Sequence, residues 1–256
     1  MFAINHAATA LLIRRRYPDI PLVPILISVQ VMEMLWVVLN YLGVERTTTE
    51  SVVRYVGDIH LEFMPYSHSV ATMAGAAIVA WVLGVSLRRP RLGAAVGIGI
   101  ASHLLLDLAT HNGDIVLAPF ASGDGYGTYL YRQFPAGAFV LELAFGVACW
   151  WAYRGGPALM AVIVGFNLAN LSLFFASVPG LEGMFAGRPT LLVTVILLQI
   201  IVTLAAVWWG ATRRASRRWV RNSVTDRSAD GSAKRTAMLR ASQNRCAPDL
   251  QSGKRR

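Results

Sequence analysis

Charged residues are scarce in this chain. Asp, Glu, Lys and Arg make up 15% of its 256 residues, against roughly 25% in soluble globular proteins. Hydrophobic residues account for 55%, and the mean hydropathy is +0.47. This composition excludes an ordinary soluble domain and predicts an integral membrane protein.

The chain has only two cysteines and no nucleotide-binding motif. The two cysteines, Cys149 and Cys246, form no motif and so indicate neither a redox compartment nor a thiolate metal site. No Walker, dinucleotide-binding or heptad pattern is present, and the glycines of GIGIAS at 97–102 are explained by close helix packing. No convincing internal repeat is found, which gives no support for a transporter built from inverted repeats.

Apolar runs long enough to cross a bilayer, about 20 residues each, recur along the chain. They predict an all-α, polytopic membrane helical bundle of about six spans, at 20–43, 68–87, 92–111, 135–153, 157–177 and 190–210. The opening MFAINHAATALLI is shorter, and its arginines follow the apolar run instead of preceding it. That order is the reverse of a signal peptide, and it predicts a half-span or interfacial helix packed against the bundle.

The net charge is concentrated at the C-terminal end. Of the 24 Lys and Arg residues, 13 lie in 212–256 together with only 3 of the 14 acidic residues, so this segment carries the whole net charge of +10. It has few large apolar residues with which to build a core. We therefore predict a transmembrane domain over 1–211 and a disordered cytoplasmic tail over 212–256 that is attracted to anionic lipid headgroups, with no nucleic-acid partner.

Arginine clusters near the ends of the apolar runs predict the orientation. They alternate with the predicted spans and lie at 14–16, 88–91, 154 and 213–221. Both termini are then cytoplasmic, and the segments 44–67 and 112–134 are the two longest loops on the outer face. The Gly- and Tyr-rich stretch GDGYGTYLYRQFP in the second loop suits a segment that folds over a site.

Ionisable residues inside the apolar runs indicate a functional site, because placing them in a bilayer is costly. His103 and Asp107, in SHLLLDLATHNG, are one helical turn apart and share a face. An imidazole and a carboxylate so placed can bind one divalent ion, and zinc is the expected metal. The competing interpretation is a His–Asp hydrogen bond that ties helices together.

Further ligands are expected from other helices. His68, in YSHSVA, opens the span 68–87 at the outer membrane face, where the predicted topology also places His103 and Asp107. His6 in the short first helix is a further candidate ligand, and Glu33 in the first full span is a candidate ligand or general base. His111 lies at the end of its span, where ordinary hydration explains it.

Three motifs carry a resemblance to a known family. They are an early His in a short apolar helix (INHAATALL), a Ser-His-Ser that enters a span (YSHSVA), and a Ser-His-x3-Asp with a Gly-containing exit to an apolar, Pro-bearing segment (SHLLLDLATHNGDIVLAPF). Over about residues 1–120 the chain resembles the predicted membrane-bound metal-dependent hydrolases, which include the LexA-regulated YdjM inner-membrane proteins. The resemblance implies a bacterial inner-membrane protein with a metal site.

The chain departs from the family pattern at two points. The usual acidic Pro-Asp-x-Asp is represented only by PDIP at 18–21, before the first full span, and Glu33 is the candidate replacement. The usual His-Arg-Gly ahead of the Ser-His-Ser is replaced by Phe63, Met64 and Pro65. A changed substrate, a displaced ligand such as His60, and a loss of catalysis are the open alternatives.

The leading prediction is a multi-pass inner-membrane enzyme that uses a divalent metal to hydrolyse an ester or phosphoester, while a nearby carboxylate takes the proton. A site near the outer leaflet, roofed by 112–134, suggests a lipid or lipid-linked substrate. One alternative is a non-enzymatic protein whose His and Asp residues are structural or carry protons or metal ions across the bilayer. Another is a scaffold that acts through its basic tail.

Overall fold

The structure, a computed structural model, describes residues 1–121 and 125–213. Residues Met1–Ala211 form a compact unit. The basic tail predicted over 212–256 lies outside the described residues, apart from Thr212 and Arg213. Its disorder and its attraction to lipid headgroups stay predictions.

Helices dominate the described residues, which confirms a mostly helical fold. In chain order they are α1 (Ala3–Arg16), α2 (Leu22–Ser28), α3 (Val31–Tyr41), α4 (Val70–Ser86), α5 (Pro90–Leu108), α6 (Leu130–Gln133), α7 (Pro135–Tyr153), α8 (Pro157–Ala169) and α9 (Pro189–Arg213). Proline occupies the first helical position of α5, α7 and α8, where its missing N–H would have no partner in the helix.

Three helices, α5, α7 and α9, are long and apolar enough to cross a membrane. The pair α2 and α3 is a fourth candidate if it is one span bent by 48°. The helices α4 and α8 have 17 and 13 residues, which gives about 26 and 20 Å against a hydrocarbon core of about 30 Å. The described residues therefore contain three to four candidate spans, and the predicted six are not confirmed.

The α-helix in the apolar run 157–177 ends at Ala169, and the side chain of Asn170 explains why it ends there. Its amide donates to the Phe166 carbonyl at 2.7 Å, and its Oδ1 accepts from the Gln199 amide at 2.9 Å. An Asn that bonds to the preceding turn competes with continuation of the helix. The chain then passes into a 3-10 turn, Leu171–Leu173, and a loop that leads to α9.

The helix α1 lies in the middle of the bundle, with α2, α5, α7 and α8 packed on it. Nine of its 14 residues are buried. Its length of about 21 Å agrees with the predicted half-span, but its burial is greater than expected for a helix at the bundle surface. Ala7, Ala8 and Ala10 are fully buried and allow the neighbouring helices to approach closely.

Glycines bring α4 and α5 into close contact. A Cβ atom added at Gly93 would lie 2.8 Å from the Gly84 Cα and 2.9 Å from the Ala80 carbonyl oxygen. A Cβ at Gly97 would lie 2.8 Å from the Ala77 carbonyl oxygen. The prediction that the GIGIAS glycines serve helix packing is therefore confirmed for Gly97.

A two-stranded antiparallel sheet is an addition to the all-α prediction. It consists of β1 (Arg46–Thr49) and β2 (Ile59–Phe63), with Thr48 opposite His60 and an irregularity between Arg46 and Thr48. The three threonines of β1 are β-branched and favour an extended backbone. The Thr49 hydroxyl donates to the Phe185 carbonyl at 3.1 Å, which ties the hairpin to the α8–α9 loop.

The two ends of the bundle differ in composition. At one end the 3-10 turn Val56–Asp58 contacts α6, so the two predicted outer loops meet. At the other end Arg91 pairs with Asp19 at 2.7 Å, and Arg15 donates to the Ala152 carbonyl at 2.6 Å. These contacts gather the arginine-rich turns at one end; which end faces the cytoplasm stays a prediction.

The close approach of α4 and α5 predicts that Gly93→Ala destabilises the protein. The added methyl group meets backbone atoms that cannot move independently, so we expect a loss of about 1–3 kcal/mol in the free energy of unfolding. Gly75→Ala in α4 is the matched control, because no heavy atom lies within 4 Å of its added Cβ. Alanine is also the better helix former.

Thermal unfolding of both variants in detergent micelles measures the difference. Gly75→Ala is expected to leave the midpoint unchanged or slightly raised. Equal midpoints for the two variants would contradict the tight α4–α5 contact.

Candidate metal centre

The predicted pair His103 and Asp107 lies at the buried centre of the bundle. Both residues are on α5, and their side chains are at most 2% exposed. The His103 Nε2 is 3.1 Å from the Asp107 Oδ2, as the spacing of one helical turn predicts. A carboxylate and an imidazole thus face each other out of contact with bulk water.

The predicted third residue, His68, joins this pair from the turn that precedes α4. Its Nε2 lies 3.4 Å from the His103 Nε2 and 3.7 Å from the Asp107 Oδ2. The next residue, Ser69, caps α4 by accepting a hydrogen bond from the Thr72 N–H at 3.2 Å. The Ser-His-Ser sequence therefore does two things: Ser69 caps α4, and His68 directs its imidazole towards His103 and Asp107.

The structure also brings Glu33 and His6 to the same point. The Glu33 Oε2 lies 3.2 Å from the His68 Nε2 and 3.6 Å from the His103 Nε2. The His6 Nε2 lies 3.1 Å from the Asp107 Oδ1, and its ring stacks on that of His103 with a centroid distance of 4.1 Å. We call His6, Glu33, His68, His103 and Asp107 the His–carboxylate cluster.

Hydrogen bonds on the outer side of two imidazoles set their tautomers. The His103 Nδ1 lies 2.8 Å from the Val29 carbonyl oxygen, at the break between α2 and α3. Because a carbonyl can only accept, Nδ1 carries the proton and Nε2 presents its lone pair to the cluster. The break in the predicted first span thus supplies the acceptor that orients His103.

His68 is oriented in the same way through a relay. The Ser67 Oγ lies 2.6 Å from the Glu45 Oε2 and 2.7 Å from the His68 Nδ1. The hydroxyl donates to the carboxylate, so it accepts from the imidazole and leaves Nε2 as an acceptor. Glu45 also accepts from the backbone N–H groups of Tyr66 and Ser67, both at 2.8 Å.

The donor set of the cluster fits a divalent ion. Two groups have ligand atoms within 4.8 Å of one another: His6, His103 and Asp107, and also Glu33, His68 and His103. The Asp107 Oδ2 is buried and has no hydrogen-bond partner, while its Oδ1 faces the Met1 amino group at 2.8 Å. Inward imidazole nitrogens held by outer hydrogen bonds, next to a carboxylate, are the usual surroundings of a transition metal in proteins.

Two further histidines occupy different positions. His111 is 15% exposed, with its Nε2 3.6 Å from the Asp107 Oδ1 and its Nδ1 3.4 Å from the Asp114 Oδ1. It therefore borders the cluster, whereas the sequence predicted an ordinary hydrated residue at the end of a span. Burial lowers the pKa of His111, but the carboxylates of Asp114 and Asp107 outweigh burial and raise it. His60 lies on β2, 2.9 Å from Glu50 and away from the cluster, so the structure does not support it as a displaced ligand.

A cavity of about 450 Å³ opens beside the cluster. His6, Glu33 and His111 line it on the cluster side, and the side chains of α9 that line it are mostly apolar. The predicted roof, 112–134, contributes Tyr131 together with Asn112 and Asp114, whereas residues 122–124 are outside the described part of the chain. The hairpin and the α8–α9 loop complete the lining, which the sequence did not indicate.

A segment of the chain that contains three of the five cluster residues is similar to a known protein family. Residues 59–179 match the model of the YdjM inner membrane protein family. The chain is YdjM-like over this segment. The match confirms the resemblance for the second and third motifs and includes His68, His103 and Asp107. The first motif with His6, and also Glu33, precede the matched segment. Comparisons with curated proteins and with solved structures give no match.

The YdjM-like segment also contains a buried carboxylate that the sequence reasoning missed. Glu142 on α7 is 1% exposed and accepts hydrogen bonds from the Phe2 N–H at 3.0 Å, the Asn5 amide at 2.6 Å and the Tyr131 hydroxyl. A lone acidic residue in the apolar run FVLELAF was the signal that would have found it. It anchors the start of α1, and therefore helps to position His6.

Tyr131 remains the donor in this arrangement. Burial and the Glu142 carboxylate both raise the pKa of Tyr131 well above its usual value, so its hydroxyl keeps the proton at physiological pH.

We predict that Glu142→Ala strongly destabilises the helical bundle. It removes the acceptor of the Phe2 N–H, the Asn5 amide and the Tyr131 hydroxyl, and each unsatisfied buried donor costs about 1–3 kcal/mol. Thermal unfolding in detergent micelles measures the loss. The control is Glu62→Ala on β2, where removal of an exposed carboxylate is expected to change the free energy of unfolding by less than about 0.5 kcal/mol. A midpoint for Glu142→Ala that matches the control would show that Glu142 does not anchor α1.

Proposed function

We propose that this protein is a membrane-bound, metal-dependent hydrolase that cleaves an ester or phosphoester of a lipid or lipid-linked substrate. The observation that carries the proposal is the inward arrangement of the His–carboxylate cluster next to an open cavity. The membrane context is supported by the YdjM-like segment and the apolar helices. We place the chain in the bacterial inner membrane as a multi-pass protein with both termini in the cytoplasm.

His6, His68, His103 and Asp107 would hold the metal, and zinc suits a set of imidazole and carboxylate donors. When bound, a divalent ion supplies a Lewis acid and lowers the pKa of coordinated water. The Val29 carbonyl and the Ser67–Glu45 pair keep His103 and His68 in the tautomer that can bind it. The protein thereby preorganises the ligands before a substrate arrives.

Glu33 is suited to the role of general base. Its side chain is 25% exposed and lines the cavity, whereas His68 and Asp107 are at most 2% exposed. The Glu33 Oε2 can take the proton that water loses as it attacks the ester carbon or the phosphorus. The Glu33 Oε2 lies 3.2 Å from the His68 Nε2, which puts the carboxylate next to the ligand imidazoles at the cavity edge.

The cavity wall supports a lipid or lipid-linked substrate. Leu192, Val195, Ile196 and Ile200 of α9 line it, and α9 is one of the helices able to cross a bilayer. An acyl or isoprenoid chain would bury apolar surface there at about 25 cal/mol per Å². The ester or phosphoester would then lie at the polar side, where Glu33 and His6 face the cavity.

The first prediction from this proposal concerns metal content. Protein purified in detergent and exchanged into metal-free buffer after loading with Zn²⁺ is expected to retain a stoichiometric ion. His103→Ala and Asp107→Ala each remove a buried donor and should lower retention at least about tenfold. Inductively coupled plasma mass spectrometry measures the ion, and His60→Ala is the control because His60 lies outside the cluster.

Absence of bound metal in the wild-type protein would sink the hydrolase proposal. It would favour the alternative in which the His and Asp residues serve helix packing or proton transfer. Circular dichroism of each variant confirms that loss of metal does not follow from unfolding.

The second prediction separates Glu33 from the ligands. Glu33→Gln keeps the size of the side chain but removes its basicity, so we expect hydrolysis to fall about 10²–10⁴-fold while metal content stays near that of the wild type. The assay follows release of p-nitrophenol from p-nitrophenyl esters and phosphodiesters in detergent micelles. Retained activity, or an equal loss of the metal, would contradict the assignment of Glu33 as a base.

A further inference from the structure

The cavity contains a second carboxylate, away from the His–carboxylate cluster. Glu182 begins the 3-10 helix Glu182–Phe185 in the α8–α9 loop, is only 7% exposed, and lines the same cavity as Glu33. Among the described residues, its carboxylate has no hydrogen bond or ion pair. A buried carboxylate without a partner is costly, so its retention in a cavity indicates a ligand that pairs with it.

The backbone makes room for this carboxylate. A Cβ atom added at Gly180 would collide with both carboxylate oxygens of Glu182 and with the Ser172 hydroxyl. Gly180 therefore lets the two polar side chains lie against the chain where any other residue would displace them. Ser172 and Gly180 also line the cavity, so the three residues form one polar patch on its wall.

The charges of the lining favour a cation over a neutral donor. Glu33, Asp114 and Glu182 line the cavity, and the described lining includes no Lys or Arg side chain. The Met1 amino group faces Asp107 instead of Glu182. A hydroxyl would satisfy the hydrogen bonds, but only a positive group would also compensate the charge of Glu182.

We propose that Glu182, with Ser172 beside it, binds the ammonium group of a zwitterionic lipid headgroup. This inference rests on the proposed function for the identity of the reacting bond. It adds the headgroup class: the ammonium donates to Glu182, the ester or phosphoester faces the His–carboxylate cluster, and the apolar chains lie along α9.

Binding of short-chain lipids to the full-length protein in detergent tests this subsite without relying on hydrolysis. Isothermal titration calorimetry compares dihexanoyl-phosphatidylethanolamine with dihexanoyl-phosphatidylglycerol, which has hydroxyl groups in place of the ammonium. Wild-type protein is expected to bind the ethanolamine lipid about 10-fold or more tightly, as a charge-assisted hydrogen bond implies. O-phosphoethanolamine, which lacks the chains, should bind more weakly than the lipid by a similar factor.

Variants of Glu182 sharpen the result. Glu182→Gln should abolish the preference for the ethanolamine lipid, and Glu182→Lys should reverse it in favour of the anionic lipid. Because Glu182 has no partner among the described residues and its unpaired charge is costly, the melting midpoint of Glu182→Gln should equal or exceed the wild-type value. Glu62→Gln on β2 is the control, since Glu62 lies outside the cavity lining and should leave both affinities unchanged.

Equal binding of the two lipids by the wild type, or an unchanged preference in Glu182→Gln, would overturn the ammonium subsite. Equal binding of O-phosphoethanolamine and the lipid would overturn the lipid as its source. A preference that persists in protein without hydrolytic activity would uphold the subsite and reject the proposed hydrolase.

Discussion

Asp107 places a carboxylate at the buried centre of a bundle of apolar helices, where water cannot solvate it. An unpaired charge in such surroundings costs several kcal/mol, so polar groups must gather around it. The groups that do so lie within 3.7 Å of its oxygens. They are the Met1 amino group and His6 at the start of the chain, His68 in the turn before α4, and His103 and His111 four residues to either side of Asp107. The arrangement of α1, α5 and the turn before α4 follows from this requirement.

The helix α1 satisfies two buried carboxylates at once. Asp107 faces His6. Glu142 accepts hydrogen bonds from the Phe2 N–H and from the Asn5 amide at the start of the same helix. Small side chains such as Ala7 and Ala8 let the surrounding helices close on the rest of its surface. Polar anchoring at one end and apolar packing elsewhere hold His6 in a fixed position, which a site of defined geometry needs.

Irregular backbone contributes as much to the centre as the helices do. The break between α2 and α3 releases the Val29 carbonyl to His103, and the turn before α4 brings Ser67 and Glu45 to His68. In a membrane protein such breaks are tolerated where they are buried or border a cavity. The cavity beside the cluster combines this polar side with the apolar wall of α9, which suits an amphiphilic molecule.

Local sequence spacing was enough to predict several parts of this centre. One helical turn between His103 and Asp107 gives a shared face whatever the fold, and the Ser-His-Ser motif starts α4 wherever that helix lies. The charge pattern also predicted that the arginine-rich turns meet at one end, as the Arg91–Asp19 pair shows. The first two features depend on residues that are neighbours along the chain, and the third depends on the alternation of arginine clusters with apolar runs.

The tertiary structure decided the rest, because the contacts join residues that are far apart in the sequence. The approach of His6 to Asp107, the anchoring of α1 by Glu142, and the α9 wall of the cavity involve separations that no local periodicity encodes. The contact of Asn170, at the end of α8, with Gln199 of α9 likewise joins distant parts of the sequence. Sequence alone therefore determined a helical membrane protein with a His–Asp pair, and packing determined which other polar groups meet that pair and what space lies beside them.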